Sequence, residues 1–220
     1  MDRYGATYIT TDGYEGKVPN TYWFCGSDTL LVMLPGLGYT NQMPLMYYVR
    51  ELATSRNWDL LEVDYDYRAV PRETTSAEWS ARFIADVEPM LKAAISRGGY
   101  KKVVLAGKSI GTSVMTSLIN NGFSGNIAYV WLTPLLGSKP VYDAVKSHTP
   151  SVALFGDADY AVQNTDLGAL VQGGVKMIVV PGADHGMDIP GDVPQSIAGL
   201  AQAMYELDQW LTQHVDEVTV

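Results

Sequence analysis

From residue 29 onward, short apolar runs rich in Val, Ile and Leu alternate with longer stretches in which apolar residues recur every three or four positions. That alternation predicts an α/β fold: a mostly parallel twisted sheet with helices on both faces. Strands are expected over residues 30–34, 60–65, 102–106, 127–132, 152–155 and 177–180. Near-continuous Val, Ile and Leu in several of them implies burial on both faces. Trp79, Phe83, Val87, Met90, Leu91 and Ala94 fall on one face of a helix that Gly98 and Gly99 end. Near the C-terminus, Ile197, Leu200, Met204, Leu207 and Leu211 make a second stripe behind Pro194, expected to pack on the sheet. The first 28 residues differ. Tyr, Thr and Trp alternate there around Asp12-Gly13 and Pro19-Asn20, which predicts an N-terminal antiparallel hairpin ahead of the parallel strands. No linker, repeat or low-complexity tract intervenes, so residues 1–220 are expected to form a single domain.

Composition narrows the partners. The chain is 47% hydrophobic and 18% charged, ample for a buried sheet. Its formal net charge is -9, with 24 acidic against 15 basic residues and no run of Lys or Arg, which argues against nucleic acid as a partner. The longest apolar segment, residues 30–37, is broken by Pro35 and Gly36 and falls short of the roughly 20 residues a membrane helix needs, so no membrane partner is expected. The opening Met-Asp-Arg-Tyr has no basic patch followed by an apolar stretch and does not read as a signal peptide. The lone Cys25 has no internal disulfide partner and reads as a small hydrophobe; a cytoplasmic location is expected.

Chemistry concentrates in three places. The strand at 102–106 runs into Gly107-Lys108-Ser109-Ile110-Gly111, and helical sequence over 113–120 follows at once. A serine on a tight strand-to-helix turn presents its hydroxyl clear of the backbone, while the next amide and the helix N-terminus face developing negative charge. A hydroxyl needs a base, and the chain offers His148, His185 and His214. His214 falls at the end of the last helix and His148 at the start of a strand. His185 lies five residues past the strand at 177–180, in a loop expected at the carboxyl edge where open α/β sheets bind ligands. An acid must hold the imidazole, and both Asp157 and Asp159 follow the strand at 152–155; their spacing does not choose between them. Glu62, Asp64 and Asp66 alternate with apolar residues and read as the polar face of a strand end, since no His or Cys completes a metal site there. No dinucleotide or P-loop motif occurs, so neither cofactor nor metal is expected.

These motifs resemble the α/β-hydrolase superfamily over essentially the whole of residues 29–211, in the order Ser109, Asp159, His185 that the family uses. The resemblance is to its small lidless, dienelactone-hydrolase-like branch, with Lys108 at the variable elbow position. Dienelactone hydrolases use a cysteine nucleophile, so their specific activity does not transfer to Ser109. Family members commonly place the acid three residues after a strand-ending glycine, which by resemblance selects Asp159 after Gly156. The family's oxyanion hole maps onto the backbone amides of Leu37 and Ile110, although Pro35 replaces the histidine many relatives carry before that glycine. Residues 133–151 are too few for a lid domain and leave room for one short helix around 141–146, so an open site is expected. Its walls, from loop position alone, are Tyr39, Met43, Leu135, Leu136, Tyr160 and Met187. The resemblance implies a serine hydrolase, carboxylesterase-like, cleaving an ester or thioester of a small molecule through an acyl-enzyme. The alternatives are acyl transfer on the same triad, or a catalytically silent scaffold that binds a ligand or protein partner. Oligomeric state is not written in the sequence.

Overall fold

In the computed structural model, which describes residues 4–216, the apolar runs form strands, several of them buried along their whole length. Residues 1–3, part of the N-terminal stretch read above, and 217–220 lie outside the described residues. The chain divides into two compact units, Met1–Ile127 and Ala128–Val220, described in turn.

The first unit contains β1 (Gly5–Thr7), β2 (Asp12–Gly13), β3 (Gly16–Lys17), β4 (Asn20–Phe24), β5 (Thr29–Leu34), α1 (Pro44–Ser55), β6 (Asp59–Val63), α2 (Ser76–Gly98), β7 (Lys102–Lys108) and α3 (Ile110–Asn120). Its sheet runs in the order β1-β4-β6-β5-β7. β5 is parallel to both β6 and β7, whereas β4 is antiparallel to β1 and β6. The expected hairpin is the small β2–β3 pair. Pro19-Asn20 instead leads into β4, where buried Asn20 holds both the N–H and the C=O of Ile9. A capping box of Thr75 and Glu78 starts α2, which buries Phe83, Val87, Met90, Leu91 and Ala94 as the periodicity demands.

Two differences from expectation have local causes. β6 stops at Val63 rather than at 65. Beyond it Tyr65 and Tyr67 stay buried and stack at 4.5 Å, and their hydroxyls donate to Pro35 O and Asp86 Oδ2, so side chains replace the backbone ladder. Helix α1 was left unassigned by periodicity; it has no side-chain cap at Met43 and starts on Pro44.

The second unit holds β8 (Ile127–Leu132, whose first residue belongs to the unit before), α4 (Lys139–Ser147), β9 (Ser151–Gly156), α5 (Leu167–Gln172), β10 (Val175–Val180) and α6 (Val193–Leu211). β8, β9 and β10 are parallel and adjacent in that order. One helix, α4, separates β8 from β9, so no lid domain is inserted there. α6 buries Ala203, Met204, Leu207, Trp210 and Leu211, but Ile197, expected in its packed stripe, is exposed. Gly199 makes the close approach to β10, where a β-carbon would stand 2.6 Å from Val180 Cγ1, while Ile197 two residues before it is turned to solvent. No helix among the described residues is long and apolar enough to cross a membrane.

The first turn of α3 lies against the end of β5 so closely that a β-carbon on Gly111 would overlap Leu34 O and stand 3.0 Å from Pro35 O. Gly111→Ala is therefore expected to destabilise the fold by about 1–3 kcal/mol through overpacking. Gly137→Ala, where the nearest atom to an added β-carbon is Ala161 O at 3.9 Å, should stay within about 0.5 kcal/mol. Urea unfolding midpoints of the two variants check this; equal midpoints would contradict the contact at Gly111.

Candidate active site

In the first unit, β7 delivers the chain into α3 through a single residue. Ser109 has φ 52° and ψ -115°, a left-handed backbone that costs a non-glycine residue about 1–3 kcal/mol and persists only where its surroundings enforce it. The flanking glycines enforce it by contact: an added β-carbon on Gly107 would lie 2.5 Å from Met115 Sδ, and Gly111 touches the end of β5. The Ser109 carbonyl is held by the N–H and hydroxyl of Thr112, at 2.9 and 2.6 Å.

The loop after β5 lies against this elbow. Gly36 N–H donates to Tyr39 O at 2.9 Å and Tyr39 N–H to Gly36 O at 3.3 Å, making a tight turn with Leu37-Gly38 at its corner. A β-carbon on Gly36 would be 3.3 Å from Lys108 Cδ and 3.5 Å from Ser109 Cβ. Tyr65 pins the start of the loop through its 2.8 Å bond to Pro35 O. The N–H groups of Leu37 and Ile110 meet no protein acceptor among the described residues. The second of these is also the first helical amide of α3, where the helix dipole favours negative charge. Leu37, Met43 and, partly, Tyr39 are exposed around this loop.

In the second unit, Asp159 stands three residues beyond β9 and is fully buried. Its Oδ1 accepts Ala161 N–H at 2.8 Å, and its two oxygens lie 2.9 and 2.8 Å from His185 Nδ1. A carboxylate accepts, so Nδ1 carries the hydrogen and Nε2 is left with its lone pair. The backbones of the two loops are knitted together: Gly156 leaves no room for a β-carbon beside Ala183 O, which accepts Ala158 N–H at 3.1 Å. Asp157 faces solvent and accepts Gly182 N–H at 2.6 Å, a clip between the same loops with no bond to the imidazole. Tyr160 is 66% exposed, its ring 4.8 Å from that of His185.

Other expected residues are placed differently. Leu136 and Met187 are buried and Leu135 is half-buried. Met187 turns inward on a left-handed backbone of φ 71°, a conformation loop position alone does not reveal. His148 bonds Ala144 O just before β9, and His214 bonds Trp210 O and stacks on that indole. Glu62 is not on a solvated face. It is buried between Trp23 Nε1 at 2.9 Å and Arg50 Nη1 at 3.4 Å, and burial pushes its carboxyl up against the pull of both partners. Asp64 accepts from Asn41, and Asp66 is forked by Arg68. Among the described residues, no three His, Cys, Asp or Glu side chains gather to hold a metal ion. Tyr65 and Tyr39 were not singled out as supports; their only sequence signal was an aromatic beside a turn.

No protein-family model and no curated protein matches the sequence. Solved structures do match. The chain is similar to a lidless α/β serine hydrolase from Xanthomonas campestris (14% identity, TM-score 0.64, 99% of this chain and 97% of that one). It is similar also to a dienelactone hydrolase from Anabaena variabilis (15%, TM-score 0.67, 96% and 99%), and to an esterase from Pyrococcus furiosus (15%, TM-score 0.67, 96% and 93%). At such identities the likeness speaks for architecture, and with the strand order and parallel pairing described above it establishes that this chain has the α/β-hydrolase fold.

Proposed function

We propose that the protein is a serine hydrolase that cleaves an ester-type bond, carboxylic ester or thioester, of a small substrate through an acyl-enzyme. Ser109 is the nucleophile, His185 the general base and Asp159 the acid that orients it. The observation that carries the proposal is the enforced left-handed backbone of Ser109 between β7 and α3. Strain of that kind, held by close-packed glycines, is what a nucleophile elbow requires and an ordinary βα turn does not.

In the proposed reaction His185 Nε2 takes the Ser109 hydroxyl proton as Oγ attacks the carbonyl carbon. Oxyanion charge is met by the N–H groups of Leu37 and Ile110. Collapse breaks the bond to the alcohol or thiol, which leaves with the proton returned from Nε2; water then repeats the cycle on the acyl-enzyme. Asp159 keeps Nδ1 protonated and stabilises the imidazolium. The scheme requires the two units to work as the one domain expected from sequence. The exposed side chains of Leu37 and Met43, beside the proposed oxyanion loop, favour an apolar acyl or alcohol group. That an esterase and a dienelactone hydrolase share the fold supports the same chemistry by analogy alone. A cytoplasmic setting belongs to the same proposal.

Ser109→Ala is expected to fold normally and to lose hydrolysis of p-nitrophenyl acetate by about 10⁴-fold or more. In the wild type, a fluorophosphonate probe should label the peptide that contains Ser109. Undiminished turnover in the folded variant, or a label on another residue, would sink the nucleophile assignment.

The two aspartates give a sharper comparison. Asp159→Asn removes the buried carboxylate charge that faces Nδ1 and should lower kcat by about a hundredfold or more. Asp157→Asn alters one exposed loop bond and should leave kcat within about threefold. Side-by-side kinetics decide the matter, and a crippled Asp157→Asn would move the acid two residues upstream.

A further inference from the structure

Lys108 stands beside the nucleophile yet has no part in the reaction proposed above. Its side chain is only 2% exposed, and a cation withdrawn from water persists only where its surroundings compensate it. Its ammonium nitrogen lies 4.4 Å from the centroid of the Tyr39 ring, within the reach over which an aromatic face attracts a cation. Gly36 fits between the two side chains, the place of its absent β-carbon being 3.3 Å from Lys108 Cδ and 3.1 Å from Tyr39 Cβ. Tyr39 in turn closes the loop turn by exchanging both backbone bonds with Gly36, and its hydroxyl accepts Leu45 N–H at 3.0 Å in the first turn of α1. Lysine stem, tyrosine ring and helix start thus grip the turn whose corner carries the Leu37 amide.

We propose that Lys108 is a positioning residue: through Tyr39 it clamps the turn of residues 36–39 against the elbow and so fixes the Leu37 N–H where oxyanion charge develops. The role rests on the serine-hydrolase reading, since only that reaction gives the Leu37 amide a task. It explains why a long cation occupies the position before the serine, where many side chains would fill the space. A neutral chain packs against the ring but does not attract it, and small misplacements of a catalytic donor are costly.

The experiment compares Lys108→Met, Lys108→Arg, Tyr39→Leu and the Lys108→Met/Tyr39→Leu double variant. Two readouts are taken: kcat and KM for p-nitrophenyl acetate, and hydrogen exchange of the Gly36 and Tyr39 amides, which needs no activity. Lys108→Met should lower kcat about tenfold or more with KM within about twofold, and speed exchange at both amides about tenfold. Lys108→Arg keeps the cation over the ring and should stay within about threefold of wild type. If the lysine acts through Tyr39, the double variant loses no more than the worse single one. Unchanged kcat in Lys108→Met overturns the proposal, as does a lowered kcat with unchanged exchange, or losses that multiply in the double variant. Should Lys108→Met fail to fold, Tyr39→Leu carries the same expectations. A wild type that neither turns over ester nor takes the fluorophosphonate label overturns the hydrolase reading alone, because the exchange rates test the clamp without it.

Discussion

Two backbones touch where Gly111 meets Leu34 O, and much of the candidate site follows from that contact. Because no side chain separates them, the first turn of α3 rests directly on the end of β5. The residue before that turn is Ser109, and the residues after β5 form the loop that offers the Leu37 amide. One approach therefore sets Ser109 and the loop in register at once, and any β-carbon inserted there displaces both. The second unit solves its own placement in the same manner at Gly156 and Ala183, bringing the loop of Asp159 against that of His185. Donors and acceptors sit on irregular segments, but the segments hang from strand ends that have no slack.

Electrostatics completes what packing begins. Asp159 is withdrawn from water and is matched by one backbone N–H and one imidazole N–H, so the buried charge is satisfied and the ring is held in one tautomer. Asp157, two residues away, is solvated and does the humbler work of clipping Gly182. Exposure, more than residue type, separates their roles. Lys108 is the complementary case in the first unit, a buried cation whose ammonium faces the Tyr39 ring.

The strands were legible in sequence because burial on both faces leaves continuous apolar runs, and β8 was found to the residue. The Ser109 elbow was legible because its demands are local, met by five consecutive residues. What failed to show depended on distant partners. Whether Asp157 or Asp159 meets His185 is decided by a loop 26 residues further on, which residue spacing alone does not reach. The stripe of α6 holds at Met204, Leu207 and Leu211 but not at Ile197, near which Gly199, carrying no hydrophobic signal, makes the close contact with Val180. The burial of Leu136 and Met187 is not legible either, because sequence gives a loop residue's position and not its direction. α1 begins without a capping side chain, which leaves Pro44 in its first turn as the local mark of its start.

The backbone of Ser109 also shapes how this protein tolerates change. Glycine adopts φ 52° without penalty, so at this one position the residue that best suits the chain conformation is not the one that supplies a hydroxyl. If Ser109 is the proposed nucleophile, stability and chemistry pull in opposite directions there, by an amount set by the strain. A library of variants selected for survival of heating alone would accumulate glycine at 109 and keep the whole architecture around an inert turn.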